Sequence, residues 1–406
     1  MTVTGATLTA DAHHDPFLAA SSGPLSGLVV ADFSRILAGP YATMLLADLG
    51  ATVVKVEGPR GDDTRTWMPP VRDGESTYYL GVNRNKRSIA LNLKDEDDLA
   101  TARALAARAD ILLENMKPGG MARFGLGYED VAAANPGIVY GSITGFGTGG
   151  GAGLPGYDLM VQGMSGLMSL TGPADGPPHR AGISVFDVMT GMHALIGILA
   201  ALHHRSLTGR GQHVEVNLLS SAMSGLVNQT SAAVAGGVTP TSMGNAHPSL
   251  FPYEPLATAD GQIIVIAGND GQFALLCDLL GVPDLVDDER FASNDLRTEH
   301  RDELQPLLED ALAARTTNEW FGTFREAGLP GGPVWTVPEG VAFATELGLE
   351  PVVEVGEGER IIPTVRNPIG LSETPPDHHL APPRLDEHGA EVRAWLAAGA
   401  EDGDAA

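Results

Sequence analysis

Residues 27–57 read GLVVADFSRILAGPYATMLLADLGATVVKVE, and this stretch decides the fold class. The apolar run Leu28–Ala31 has the pattern of a strand covered on both faces. PYATMLLADLG reads as a helix opened by Pro40 and stopped by Gly50, and TVVKVE reads as a second buried strand. Together they form a βαβ unit. The scheme recurs downstream. SIALNLK (88–94), the helix of 95–110 and the strand ILLEN (111–115) repeat it, with Asp95–Asp98 at the helix start where the macrodipole favours acids. IVYGSIT (138–144) then follows the helix of GYEDVAAANP. Strands alternating with helices imply an α/β fold with a mostly parallel sheet.

Beyond Tyr157 the apolar spacing is helical, in DLMVQGMSGLMSL and FDVMTGMHALIGILAALHH. A Gly/Thr/Ser/Pro-rich segment after residue 230 reads as a linker into a smaller α+β domain. The expected division is a leader over 1–24, a large domain over 25–230, a small domain over 231–335 and a segment over 336–406. The last is a proline-rich run and one helix, too thin to fold alone.

At 406 residues, 43% hydrophobic and 19% charged, with 51 Gly and 28 Pro, this is a folded, loop-rich chain. Its net charge of −26 opposes nucleic acid and anionic membranes as partners. The single cysteine, Cys277, cannot form an internal disulfide, so the default compartment is the cytoplasm. The N-terminus lacks a basic stretch followed by an apolar run, and later apolar stretches look interrupted before 18 residues, so neither an export signal nor a membrane span is expected.

The four lysines, Lys55, Lys86, Lys94 and Lys117, fall in one stretch that also carries Arg60, Arg65, Arg84 and Arg87. If the fold gathers them, they form a cationic island for a phosphate-bearing ligand; otherwise they are solvated surface. GFGTGG (145–150) satisfies a dinucleotide glycine pattern, but GGAGLPG continues as loop where a helix should open, so a flexible loop lining a cleft is the better reading. Adjacent histidine pairs point apart and no carboxylate cage appears, so no metal is expected. Asp158 and Asp187 each begin an apolar helical run. Each reads equally as a helix cap or as a functional carboxylate beside backbone donors.

Several long stretches resemble the class III CoA-transferases, the carnitine and formyl-CoA group. They are DFSRILAGPYATMLLADLGATVVKVEGPRGDDTRTW, YLGVNRNKRSIALNLK, LLENMKPGGMARFGLGYEDV, GYDLMVQGMSGLMSLTG, SVFDVMTGMHALIGILAALHHRSLTGRGQHVEV and GNAHPSLFPYEPLATADG. The resemblance implies a Rossmann-like large domain completed by the C-terminal segment, a small domain between, and two chains interlocked as a homodimer. It implies that Asp187, in FDVMTG, is the nucleophile. CoA contacts would come from Asn85, Lys86, Arg87 and Lys117, with Arg60 and Arg65 as further phosphate partners. Gly244 and His247 would belong to a loop closing over the acyl site. CoA thioesters are then substrates, with no permanently bound cofactor and no metal.

The same fold hosts α-methylacyl-CoA racemases, whose G-H-D motif matches Gly156, Tyr157 and Asp158 here. Phenols titrate at about 10, which makes tyrosine a poor base at neutral pH. Tyr157 is therefore expected as a wall or hydrogen-bond donor of the acyl site, and the role of Asp158 stays open. GDDTRTW, STYYLGVNRNK and AGNDGQFALLCDLLGVPDLVDDERFASNDLR look most like the succinyl-CoA:glutarate branch. A small dicarboxylate would be the acceptor, with Arg35 and Arg65 placed to hold its distal carboxylate. One departure is LDEHGAEV, where relatives commonly carry LGEHT: Asp386 stands in place of a glycine.

Overall fold

The computed structural model describes residues 17–18 and 23–403, so most of the expected leader lies outside the described residues. The first unit is built on a six-stranded sheet of β1 (Val29–Asp32), β2 (Thr52–Glu57), β3 (Lys86–Ala90), β4 (Ile111–Glu114), β5 (Val139–Thr144) and β6 (Gln212–Asn217). Their order is β3-β2-β1-β4-β5-β6, and every neighbouring pair is parallel. The chain works outward from β1 to β3, then returns to the other side of β1 for β4. Such a reversal leaves a crevice beyond the carboxyl ends of the two central strands.

The strands read as continuous apolar runs because both faces are covered. Between β1 and β2, helix α1 (Ala38–Asp48) buries every residue but Tyr41. On the other side of the strand order, α2 (Glu96–Arg108) begins at Asp95, whose carboxylate accepts from the amides of Asp97 and Asp98. Helices α3 (Tyr128–Ala134), α4 (Asp158–Met164), α5 (Val185–Thr208) and α6 (Leu218–Gly225) complete the elements that position the site.

Helix α5 corrects the reading of the apolar runs. It is 24 residues long, with a mean hydropathy of 1.8 over its best window, enough to cross a membrane by length and composition. Its inner side packs on α1, β5 and β6, burying Phe186, Ala194, Leu195, Ile198 and Ala201 as a core helix does.

The division into units also differs from the sequence reading. The second unit comprises 166–180 as well as 232–349, while residues from 350 onward group with the sheet. The first addition arises because the Gly172 carbonyl accepts hydrogen bonds from Ser242 Oγ and the Gly244 amide. The second arises because Phe343 packs edge-on against Phe321 and at a tilt against Trp335, extending the small unit beyond residue 335. Its own sheet, β7 (Tyr253–Ala257), β8 (Gln262–Ile266) and β9 (Gly331–Pro333), is antiparallel and covers a core that includes Phe251, Phe273, Leu308 and Phe324.

Within the first unit, the terminal helix α7 (Gly389–Gly403) packs on α2 and β3, with Val392 and Trp395 in the core. Asp386, just before it, adopts φ 58°, the left-handed region where a glycine is usual. Its carboxylate accepts from the Ala90 amide at 2.8 Å, and its own amide donates to Ser88 Oγ at 3.1 Å. Aspartate tolerates this conformation better than most residues because its short side chain bonds locally, which accounts for an aspartate standing where the resemblance led to an expected glycine.

Candidate active site

The site lies at the crevice beyond β1 and β4. The chain leaving β1 is held by carboxylates before it enters α1. Asp32 accepts from the Ser34 amide at 3.0 Å, from Ser34 Oγ, and from Thr43 Oγ1 at 2.6 Å. Asn115, just after β4, receives the Arg35 amide on Oδ1 at 3.0 Å and donates from Nδ2 to the Arg35 carbonyl at 2.8 Å. Ile36 takes φ 70°, a costly conformation for a β-branched residue, and its amide donates to the Asp62 carboxylate at 3.1 Å. Buried Lys55 bonds that same carboxylate at 2.9 Å and the Ser34 carbonyl at 3.0 Å. The loop Ser34–Leu37 is thus over-determined by its surroundings.

Two close approaches at glycines bring the remaining elements together. A Cβ on Gly145 would stand 2.3 Å from Gly156 Cα, so the glycine-rich loop closes on itself and returns Tyr157 and Asp158 to the end of β5. A Cβ on Gly191 would meet the Ala38 carbonyl oxygen at 2.5 Å, so α5 presses on the first turn of α1. Asp187, one helical turn before Gly191 on the same face, is thereby directed toward the α1 entrance.

The two aspartates separate clearly. Asp158 is buried, and its Oδ1 accepts from the amides of Phe186 at 2.8 Å and Asp187 at 3.2 Å. It caps α5 from a distant part of the chain, while Ser184, the residue at the cap position, makes no side-chain cap bond. Gln162 donates to Asp158 Oδ2 and to the Ile183 carbonyl, and accepts from the Ala181 amide. Asp187 keeps neither amide for its own carboxylate. Burial, with the adjacent charge of Asp158, pushes its pKa up to about 7. The Tyr78 hydroxyl is hydrogen-bonded to Ser184, and burial raises its pKa, with the charges of Asp187 and Asp158 adding to the effect.

Asp187 lines a cavity of about 150 Å³ together with Arg35, Lys117, Thr144 and Tyr157. A second cavity, of about 450 Å³, has Arg60, Gly61, Asp63 and Thr66 on its wall. Arg35 and Met116 belong to both walls.

The expected cationic island does not assemble as read. Lys86 is fully buried: Nζ donates to Asp32 at 3.2 Å, to the Pro40 carbonyl at 2.9 Å and to Asn83 Oδ1 at 2.9 Å. All of its donors are spent. The Asn85 side chain is likewise spent, donating to Asp48 and the Asp377 carbonyl and accepting from the amides of His379 and Leu380. Arg87 is buried between Glu391 and the Phe17 ring. Arg65 pairs with Glu57 through two nitrogens and also bonds Tyr79 and the Pro383 carbonyl. Each of these side chains found a carboxylate or carbonyl of the protein itself, and for Asn85, Arg65 and Arg87 one such partner comes from the chain between Asp377 and Glu391. Arg35, Arg60 and Lys117 are the expected cations that reach the cavities with exposed side chains, while Lys55 lines the second with its ammonium already bonded to Asp62 and the Ser34 carbonyl. No helix opens at GFGTGG, where the chain runs as turn and loop until α4 begins at Asp158, which closes the dinucleotide reading. Gly244 and His247 lie in the second unit, where Gly244 has φ 64° and His247 Nδ1 accepts from the Ser249 amide at 3.1 Å.

Sequence reasoning missed Asp62, Asn115, Gln162 and Tyr78. Asp62 had a legible signal, since an Asp two residues before Thr64 is a cap pattern, and its carboxylate accepts from the Thr64 amide. Asn115 and Tyr78 act across long sequence separations that no local pattern reports, and Gln162, four residues after Asp158, ties it to Ile183 and Ala181, 21 and 19 positions on.

The sequence model described as CoA-transferase family III matches residues 25–389. A succinate–glutarate CoA-transferase of Agrobacterium fabrum is 43% identical over 383 residues, covering 92% of this chain and 96% of its own. An acetyl-CoA:oxalate CoA-transferase of Acetobacter aceti is 40% identical over 381 residues, with 93% and 96% covered. Among solved structures, a CAIB/BAIF family protein from Brucella suis superposes with a TM-score of 0.84 at 41% identity, covering 93% of this chain and all of that one.

Proposed function

Because the chain belongs to CoA-transferase family III, we propose that this enzyme moves CoA from an acyl-CoA, with succinyl-CoA the leading donor, to a small dicarboxylate such as glutarate, through Asp187. The observation that carries the reading is the Asp187 carboxylate on the wall of a cavity it shares with Arg35 and Lys117, its helix amides already taken by Asp158. A carboxylate left without those donors is less stabilised in its free form, and so gives up less when it attacks.

Ionised Asp187 adds to the thioester carbonyl of the donor and expels CoA thiolate, leaving a mixed anhydride on its own carboxyl. The thiolate then attacks the aspartyl carbonyl of that anhydride, and the donor's acid leaves as a free carboxylate. Asp187 now holds CoA as a thioester. An acceptor carboxylate attacks this thioester, CoA thiolate departs again, and its attack on the acceptor carbonyl of the new anhydride regenerates Asp187. One thioester is exchanged for another, so no external energy source enters. Lys117 and Arg60, exposed at the two cavities, are the cations placed for the phosphates of CoA. Arg35, on both walls, anchors the distal carboxylate of the acceptor.

The working form is an interlocked homodimer. Support comes from the outer side of α5 and its approach, where Ile183, Met192, Ile196 and Leu207 are exposed in the single chain.

Incubation with succinyl-CoA and glutarate is expected to yield glutaryl-CoA, and hydroxylamine quenching of enzyme mixed with succinyl-CoA alone is expected to place a hydroxamate at position 187. Asp187→Ala should lose exchange by at least about 10³-fold. Exchange surviving in that variant would refute the covalent route.

A further inference from the structure

The stem of Arg35 starts from a fixed point, since Asn115 grips its backbone from both sides and the next residue is locked by Asp62. Its guanidinium is held far more lightly. Nη1 donates to Asp63 Oδ2 at 3.1 Å, and both side chains are 54% exposed. A guanidinium binds a carboxylate best through two parallel N–H bonds, so a single contact leaves the fork unfilled. Asp63 follows the buried clamp Asp62 and stands on the wall of the second cavity. One residue anchors the loop and its neighbour occupies the loop's arginine.

We propose that Asp63 tempers the preference for dicarboxylates, as an internal carboxylate that holds Arg35 until the distal carboxylate of a dicarboxylate substrate displaces it. The proposal rests on the reading of Arg35 as the acceptor's anchor. An acid with one carboxylate must present it to Asp187 and has none left to exchange with Asp63. It meets a neutralised arginine instead of a bare cation. A dicarboxylate carries the replacement charge and gains the unfilled fork, less the cost of displacing Asp63. That cost is small because exposed ion pairs are weak.

The test is a double-mutant cycle at saturating succinyl-CoA, measuring KM for glutarate and for butyrate, or Ki where butyrate is not turned over. The four proteins are the wild type, Asp63→Asn, Arg35→Ala and the double variant. In the wild-type background Asp63→Asn is expected to lower KM for glutarate about two- to fivefold, the range an exposed pair supports, and to leave butyrate within error. In the Arg35→Ala background the effect of Asp63→Asn on glutarate should vanish. An unchanged or raised KM for glutarate, an equal shift for both acids, or an effect that persists without Arg35 would each overturn the proposal. Asp187→Ala, assayed in parallel, separates the two layers. If it still exchanges thioesters, the reading of the reaction fails. If it is inactive while the cycle is flat, only the role of Asp63 falls.

Discussion

The floor beneath the strand ends and the rim of the cavities use the same residue types to opposite ends. On the floor each charge is buried against its opposite: Lys55 with Asp62, Lys86 with Asp32, Arg65 with Glu57 and Arg84 with Asp48. At the rim Arg35 and Lys117 stay exposed, Arg35 with only a light contact to Asp63, and among the described residues Asp187 has no ion pair and lost its helix amides to Asp158. Charges spent on the protein hold a strained loop in place. Charges left unspent are available to a substrate. The contrast teaches that proximity in sequence within the 55–117 stretch says little about role; what decides is whether a residue's strand position is covered and whether a carboxylate waits beside it.

The largest effect that would break the contrast compares two lysines of that stretch. Lys86→Ala leaves Asp32 buried with its main counter-charge gone, and removing one partner of a buried pair costs about 3–5 kcal/mol. A fall of several degrees in Tm, or loss of soluble protein, is expected. Lys117→Ala removes an exposed side chain, so Tm should hold within about 0.5 kcal/mol of stability, while KM for the acyl-CoA rises several-fold. Thermal unfolding and initial rates on the two variants check both. If Lys86→Ala were as stable as the wild type and bound acyl-CoA more weakly, the assignment of floor and rim would be reversed.

The fold was open to sequence reading because its signals are local: continuous apolar strands, acids at a helix start, and glycines where the chain turns. The six-strand order follows from stacking those units. Site legibility was uneven for the same reason. Asp187 and Lys117 were read through stretches that resemble the family's motifs, Arg60 as a further phosphate partner beside them, and Arg35 as a guanidinium suited to a carboxylate. Asn85, Lys86, Arg87 and Arg65 were read toward a ligand because the internal partner of a polar or charged side chain cannot be seen in sequence. Lys86 and Asp32 are 54 positions apart, and Asn85 meets the Leu380 region almost 300 positions away. The cap of Asp158 on α5 was invisible too, since helix caps are sought next to the helix and this one comes from 28 positions upstream. Asp62 alone among the missed residues had a nearby pattern.

A smaller effect sharpens the contrast at the rim through pH. Asp187 titrates at about 7 in the folded chain against about 3.9 when unfolded. As nucleophile it must be ionised, so kcat/KM for the acyl-CoA is expected to climb tenfold per unit below about 7 and level off above it. For stability the sign is opposite. Between the two pKa values the folded state retains a proton that the unfolded state has released, so raising pH through this window removes stability. Asp187→Asn does not titrate and escapes that loss. Its Tm advantage over the wild type should be absent near pH 4, open as pH rises to about 7, and stay constant beyond, reaching about 2 °C or more. A Tm difference independent of pH would mean that Asp187 is not desolvated.

The smallest expected effect tests the floor's rule at its edge. Asp386 sits in the left-handed region with its carboxylate on the Ala90 amide, at a position where the sequence resemblance led to an expected glycine. Replacing it with glycine relieves a backbone cost of about 1 kcal/mol for a non-glycine residue and forfeits a hydrogen bond worth about as much. Glycine also returns entropy to the unfolded chain, which tips the balance slightly against it. Asp386→Gly should therefore lose no more than about 1 kcal/mol in denaturant unfolding, whereas Asp386→Ala, which keeps the strain and drops the bond, should lose more than the glycine variant does. The ordering matters more than either value. If alanine proved the more stable of the two, φ at this position would not be the constraint, and the carboxylate would be decoration on the floor, not a part of it.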